Sequence, residues 1–197
     1  MQKQLNLVLF GPPGAGKGTQ SKRIIGRYNL THISTGDLFR KHLGEGTKLG
    51  IQAQGYMDQG KLVPDGIVIG MVEDKIKNSP DTNGFIFDGF PRTVPQAEAL
   101  DQLLDSLNAP ISVMISLEVP EEELKNRLKN RAKVSGRTDD QDEEKIDTRI
   151  VEYREKTIPV AGYYHKQDKL VAINGVGKID SIFENISNVL DPLCELA

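Results

Sequence analysis

Leu5-Asn6-Leu7-Val8-Leu9-Phe10-Gly11-Pro12-Pro13-Gly14-Ala15-Gly16-Lys17-Gly18-Thr19 is the stretch on which the fold turns. Residues 5–10 form a nearly continuous apolar run, as expected for a strand covered on both faces. The glycines that follow let the backbone curl so that successive N–H groups point at phosphate oxygens. A helical pattern opens at Lys17, and its positive dipole end falls on the same spot. Lys17 supplies a mobile point charge for the β and γ phosphates of a nucleoside triphosphate. The residue after the lysine, where Ser or Thr usually holds magnesium, is Gly18, with Thr19 next. That departs from the pattern of GTPases and motor ATPases. A glycine-rich turn with no ligand is the bland alternative, and the lysine and strand in register disfavour it.

Working outward, apolar runs alternate with helical periodicity, the mark of a parallel α/β sheet. Strands are expected at residues 5–10, 32–34, 85–88, 111–117 and 170–173. Helices are expected at 17–28, 35–43, 49–59, 65–77, 94–107, 121–133 and 179–193. Ser34 stands where its hydroxyl would cap the second helix, with Asp37 three residues on. Residues 142–167 read as one long helical segment that bends or breaks at Pro159. Three helices fall between residues 35 and 77 where one would suffice, and 134–141 form a short polar loop. Both read as insertions on one core.

Composition bounds the function. The chain has 197 residues, 38% of them apolar and 27% charged, enough for one globular domain with a proper core. A net charge of −3 argues against a general nucleic-acid binder. Cys194 is the only cysteine, so no intrachain disulfide and no cysteine-based zinc site is expected. The opening residues are too short a run for a signal peptide, and no apolar stretch is long enough to span a membrane. A cytoplasmic protein is the expectation.

The apolar run Phe85-Ile86-Phe87 ends in Asp88, where a phosphate-loop protein sets the carboxylate that organises magnesium and its waters. Arg127 and Arg131 lie four apart on one predicted helix face. Arg149 lies on a later helix, Arg137 in the polar loop, and Arg92 shortly after Asp88. A salt-bridged surface explains the helical arginines equally well on spacing alone, since Glu121–Glu123 and Glu143–Glu144 are near. A triphosphate site shifts the balance, because planar guanidinium groups hold a transferring phosphoryl group with good geometry. Arg23 and Arg27 read as solvated surface. His32, His42 and His165 form no motif.

Taken together, the chain resembles the nucleoside monophosphate kinases, and among them the adenylate kinases with a short lid. The motifs that carry this are Gly11 to Thr19, Ser34-Thr35-Gly36-Asp37-Leu38-Phe39-Arg40, Lys61-Leu62-Val63-Pro64, Asp88-Gly89-Phe90-Pro91-Arg92 with Gln96, Gly136-Arg137-Thr138-Asp139-Asp140, and Arg149 ahead of Tyr153. They occur in family order along essentially the whole chain.

The resemblance implies a P-loop NTPase fold of five parallel strands flanked by helices, in one domain. Its core would be residues 1–33, 64–129 and 141–197, with a monophosphate-binding insertion at 34–63 and a lid at 130–140. It implies ATP contacts from Gly14, Ala15, Gly16, Lys17, Gly18, Thr19, Arg127, Arg131 and Gly177. It implies AMP contacts from Thr35, Arg40, Lys61, Leu62, Val63, Gly89, Phe90, Pro91, Arg92, Gln96, Arg137 and Arg149, with Gln96 reading the adenine edge. Lys17, Arg92, Arg131, Arg137 and Arg149 would act on the transferring group, and Asp88 would hold Mg2+ through water. The implied reaction is ATP + AMP = 2 ADP, run by a monomer without structural zinc, nucleic acid or membrane as partner. A UMP/CMP kinase shares the frame, but the pyrimidine enzymes usually carry Ala and Asn where this chain has Thr35 and Gln96. A nucleotide-binding module without catalysis would typically lack one of the phosphate-handling arginines.

Overall fold

The computed structural model describes residues 4–135 and 142–195. Strands β1 (Leu7–Phe10), β2 (Thr31–Ser34), β3 (Phe85–Asp88), β4 (Val113–Glu118) and β5 (Leu170–Asn174) form a wholly parallel sheet in the order β2-β3-β1-β4-β5. Helices α1 (Lys17–Tyr28), α2 (Thr35–Gly44), α3 (Lys48–Met57), α4 (Asp65–Lys77), α5 (Val94–Ser106), α6 (Glu121–Ser135), α7 (Glu143–Glu152), α8 (Ile158–His165) and α9 (Ile179–Glu195) make the crossovers and flank the sheet. Several helix starts are capped by the side chain before them, as at Ser34, Thr47, Thr93 and Asp142.

Side chains alternate across the sheet, and both faces are dry. Val8, Phe10, Ile33, Phe85, Phe87 and Met114 pack on α4, α5 and α8, whereas Leu7, Leu9, Ile86 and Ile115 pack on α1 and α9. The two neighbours of β1, β3 and β4, lie on opposite sides of it, so the direction of winding reverses there. In open α/β sheets such a reversal leaves a crevice beyond the carboxyl ends of the strands. The phosphate loop, Thr35 and Gly89 all follow directly from those ends.

Three expectations need correction. The first strand begins at Leu7, not at residue 5, because the Asn6 side chain takes over the pairing. Its Oδ1 accepts from the Phe85 N–H at 3.0 Å, and its Nδ2 donates to the Ala109 carbonyl at 2.6 Å. The long helical segment slips register upstream of Pro159, in a π-helical turn over Tyr153–Thr157. Proline lacks an N–H, so it is tolerated only where none is needed, and the slip puts Pro159 in the first turn of α8. Arg23 and Arg27 are not merely solvated. They pair with Asp180 at 2.5 Å and Asp191 at 2.7 Å, and Arg23 also stacks over Phe183, tying α1 to α9. Residues 136–141 of the expected polar loop lie outside the described residues. Among the described residues, no helix is long and apolar enough to cross a membrane.

Candidate active site

A cleft of about 1240 Å³ opens beyond the carboxyl ends of the strands. Its floor is the phosphate loop. Gly14 adopts φ +84°, and a Cβ there would lie 3.1 Å from both the Leu124 carbonyl and the Leu128 side chain. The backbone angle strains any larger residue, and the space is tight. Lys17 bends back over the loop, with Nζ donating to the carbonyls of Gly11 at 2.6 Å and Pro12 at 3.0 Å. Burial lowers the Lys17 ammonium from 10.5 to about 8. Asp88 holds it up, while Arg92, Arg149 and Arg131 push it down. These four charges, from three separate segments, therefore act on one ammonium group.

The wall beside β3 is built around the Gly89 carbonyl. It accepts from Thr35 Oγ1 at 2.9 Å and from Arg92 Nε at 2.7 Å. Gly89 itself has φ +76°, and a Cβ would lie 2.9 Å from the Arg92 guanidinium and 3.3 Å from the Thr35 hydroxyl. The position requires glycine to bring both side chains in. Arg40 pairs with Asp37 at 2.5 Å; burial works against the Asp37 carboxylate, but the Arg40 hydrogen bond and charge outweigh it and hold it below its ordinary value. Lys61 reaches Gln59 at 3.0 Å. Gln96 is buried at the start of α5, 2% exposed, and still borders the cleft.

On the opposite wall, Arg127 spans two elements. Its Nε donates to Glu123 at 2.7 Å, within α6, and its Nη1 donates to the Gly175 carbonyl at 3.1 Å. Arg127 is thus salt-bridged within its helix and at the same time borders the cleft. Arg131 from α6, Arg149 from α7 and Gly177 from the turn after β5 also border the cleft. Every site residue expected from the sequence, from Gly14–Thr19 of the loop to Gly177, borders this one cleft, with one exception. That exception, Arg137, lies outside the described residues.

Two cleft residues, His32 and Tyr153, and one residue beside the cleft, Asp65, have no part in the contacts expected from the sequence. His32 stands two residues before Ser34 on β2, and its Nε2 lies 3.7 Å from Asp88 Oδ2. Residues two apart on a strand share a face, so this placement was legible once β2 was known to border β3. Tyr153 lies against Phe10 with ring centroids 5.6 Å apart, and burial raises its hydroxyl far above the usual range. Asp65 reads in the sequence only as an acidic residue in a helix's first turn, favourable to the dipole. Its hydrogen bonds to Thr93 and Gln96 depend on α4 and α5 lying side by side. Tyr163 and Tyr164 are bound through their hydroxyls to Asp101 at 2.9 and 3.0 Å.

A parallel sheet with this reversal, a glycine loop closed on a half-buried lysine and a facing set of arginines define a P-loop phosphotransferase. The family model described as "Adenylate kinase" matches residues 9–169. The adenylate kinase of Flavobacterium johnsoniae is 51% identical over 189 residues, covering 96% of this chain and 100% of that protein. Those of Bacteroides fragilis and Methanothrix thermoacetophila are 50% and 43% identical, covering 96% and 94% of this chain. The chain belongs to the adenylate kinase family.

Proposed function

We propose that this chain transfers the γ-phosphoryl group of ATP to AMP, reversibly, giving two ADP. The observation that carries the reading is one cleft with the phosphate loop as its floor and Arg92, Arg131 and Arg149 gathered around Lys17. The donor would lie along Gly14–Thr19 with its base toward Arg127 and Gly177. The acceptor would lie toward Thr35, Arg40, Lys61, Leu62, Val63, Phe90, Pro91 and Gln96. Both phosphate chains then meet at the cationic centre.

The acceptor atom is a phosphate oxygen, already anionic near neutral pH, so no general base is needed. Catalysis is alignment of the two nucleotides plus neutralisation of spreading charge by Lys17 and the arginines. Asp88 suits magnesium delivered with the triphosphate, because that ion favours one or two carboxylates together with phosphates and waters. When bound, it would supply positive charge to the phosphates between which the group passes. We read residues 34–63 as a flap over the acceptor and 130–140, with Arg137, as a lid that keeps water from the phosphoryl group. One chain lines both ends of the cleft, which supports a monomer. Its lone cysteine is compatible with action in the cytoplasm.

A coupled assay of ADP formation from ATP and AMP tests the reading, with CMP and UMP run beside AMP. Strong preference for AMP is expected. Preference for CMP or UMP would replace adenylate with a pyrimidine acceptor, and no turnover with any of them would leave only a binding module.

A further inference from the structure

Gln96 is held at both ends of its carboxamide. Its Nε2 donates to Asp65 Oδ1 at 2.7 Å, and its Oε1 accepts from the Arg92 N–H at 2.8 Å. Neither partner can change role. A carboxylate only accepts and a backbone N–H only donates, so one orientation of the amide is satisfied. The flipped orientation sets carbonyl against carboxylate and N–H against N–H. Asp65 is itself fixed, because its Oδ2 accepts from Thr93 Oγ1 at 3.0 Å. The same hydroxyl accepts from the Gln96 N–H at 3.3 Å, capping α5. The first residue of α4, the cap of α5 and the amide thus form a closed ring beside the cleft.

A primary amide has two N–H donors and two acceptor lone pairs. With one of each engaged, one donor and one acceptor remain, in a fixed order. We propose that Asp65 is a specificity-determining positioning residue, which locks the Gln96 amide so that it matches a 6-amino purine and opposes a 6-oxo purine. The proposal rests on the reading that the acceptor base lies against Gln96. Adenine presents an N6–H donor beside the N1 acceptor, which the locked amide meets with its carbonyl and its free N–H. Hypoxanthine presents the O6 acceptor beside an N1–H donor, the reverse pattern, which only the flipped amide meets. The cytosine edge follows the adenine order, so the lock separates amino from oxo bases and leaves purine against pyrimidine to the size of the pocket. The Arg92 N–H survives every substitution except proline, which makes Asp65 the adjustable half of the lock.

The test compares AMP with IMP, which differ at this edge. In Asp65→Ala, the AMP-to-IMP ratio of dissociation constants and of kcat/KM should move toward unity by about tenfold, the scale of one well-formed base-edge contact. KM for ATP should stay within a few-fold of the parent. Asp65→Asn should restore most of the ratio, since its carbonyl can face Gln96 while its N–H faces Thr93. In the nucleotide-free protein, the Gln96 Nε2 protons should show a hydrogen-bonded, slowly exchanging NMR signal that Asp65→Ala abolishes. A ratio unchanged within twofold in Asp65→Ala, equal losses on AMP and IMP, or no protected Gln96 signal in the parent overturns the proposal. A parent protein that fails to phosphorylate AMP, while keeping the protected signal, instead overturns the reading of the site.

Discussion

Lys17 carries the clearest electrostatic consequence at the scale of single residues. Its ammonium is shielded from water against two neutral carbonyls, and its pKa falls to about 8. Triphosphate oxygens would exchange those carbonyls for negative charge and raise the pKa in the complex. The bound state then holds more protons than the free state above about pH 8, so binding takes up a proton there and affinity falls as pH rises. Calorimetry with ATP at about pH 9, in buffers of different ionisation enthalpy, should read uptake of most of one proton, and Lys17→Ala should remove it. Equal uptake in both proteins would assign the linkage to another group. Arg92 is anchored by the Gly89 carbonyl and aimed at the same centre. Arg92→Ala should lower kcat/KM by about 10³-fold, the scale for a donor directed at developing charge. Steady-state kinetics that moved only a few-fold would remove it from the catalytic set.

The elements were largely legible because each carries its own local signals, and the misjudged ends were those set by distant partners. Helices α1 and α4 have the bounds that Lys17 after the glycines and Pro64 before Asp65 imply. The start of β1 was not legible, since Asn6 looks like any residue of an apolar run until Phe85 and Ala109 are brought beside it. Fully buried, it satisfies groups that have no water to turn to. Asn6→Ala should therefore destabilise the fold by about 2–3 kcal/mol, read from urea unfolding, because it orphans a buried N–H and a buried carbonyl. A change below about 0.5 kcal/mol, the size typical of surface substitutions, would contradict this role. The break before Pro159 follows the same logic: the proline announces that a helix cannot continue, but where the slip is absorbed depends on the packing of Tyr153 against Phe10.

Across the whole molecule, function follows from convergence. Arg92 follows β3, Arg131 sits on α6 and Arg149 on α7, and the winding reversal at β1 gathers them above one loop. A Cβ at Gly60 would lie 3.0 Å from the Lys145 carbonyl and 3.1 Å from Arg149 Cγ, so the chain after α3 runs directly against α7 beside the site. The site residues that the motifs single out, Arg137 aside, border one cleft, because the motifs after β1, β2 and β3 all leave the same end of the sheet. The sequence withheld the partner of Gln96, because Asp65 lies on another helix and meets it only in the folded chain, whereas Asp37 and Arg40 are three apart on one helix and readable as a pair. The central claim is that two nucleotides lie end to end in one cleft. Two adenosines joined through five phosphates should bind one per chain and compete with both ATP and AMP in steady-state inhibition. Competition with only one of the nucleotides, or two molecules bound per chain, would contradict it.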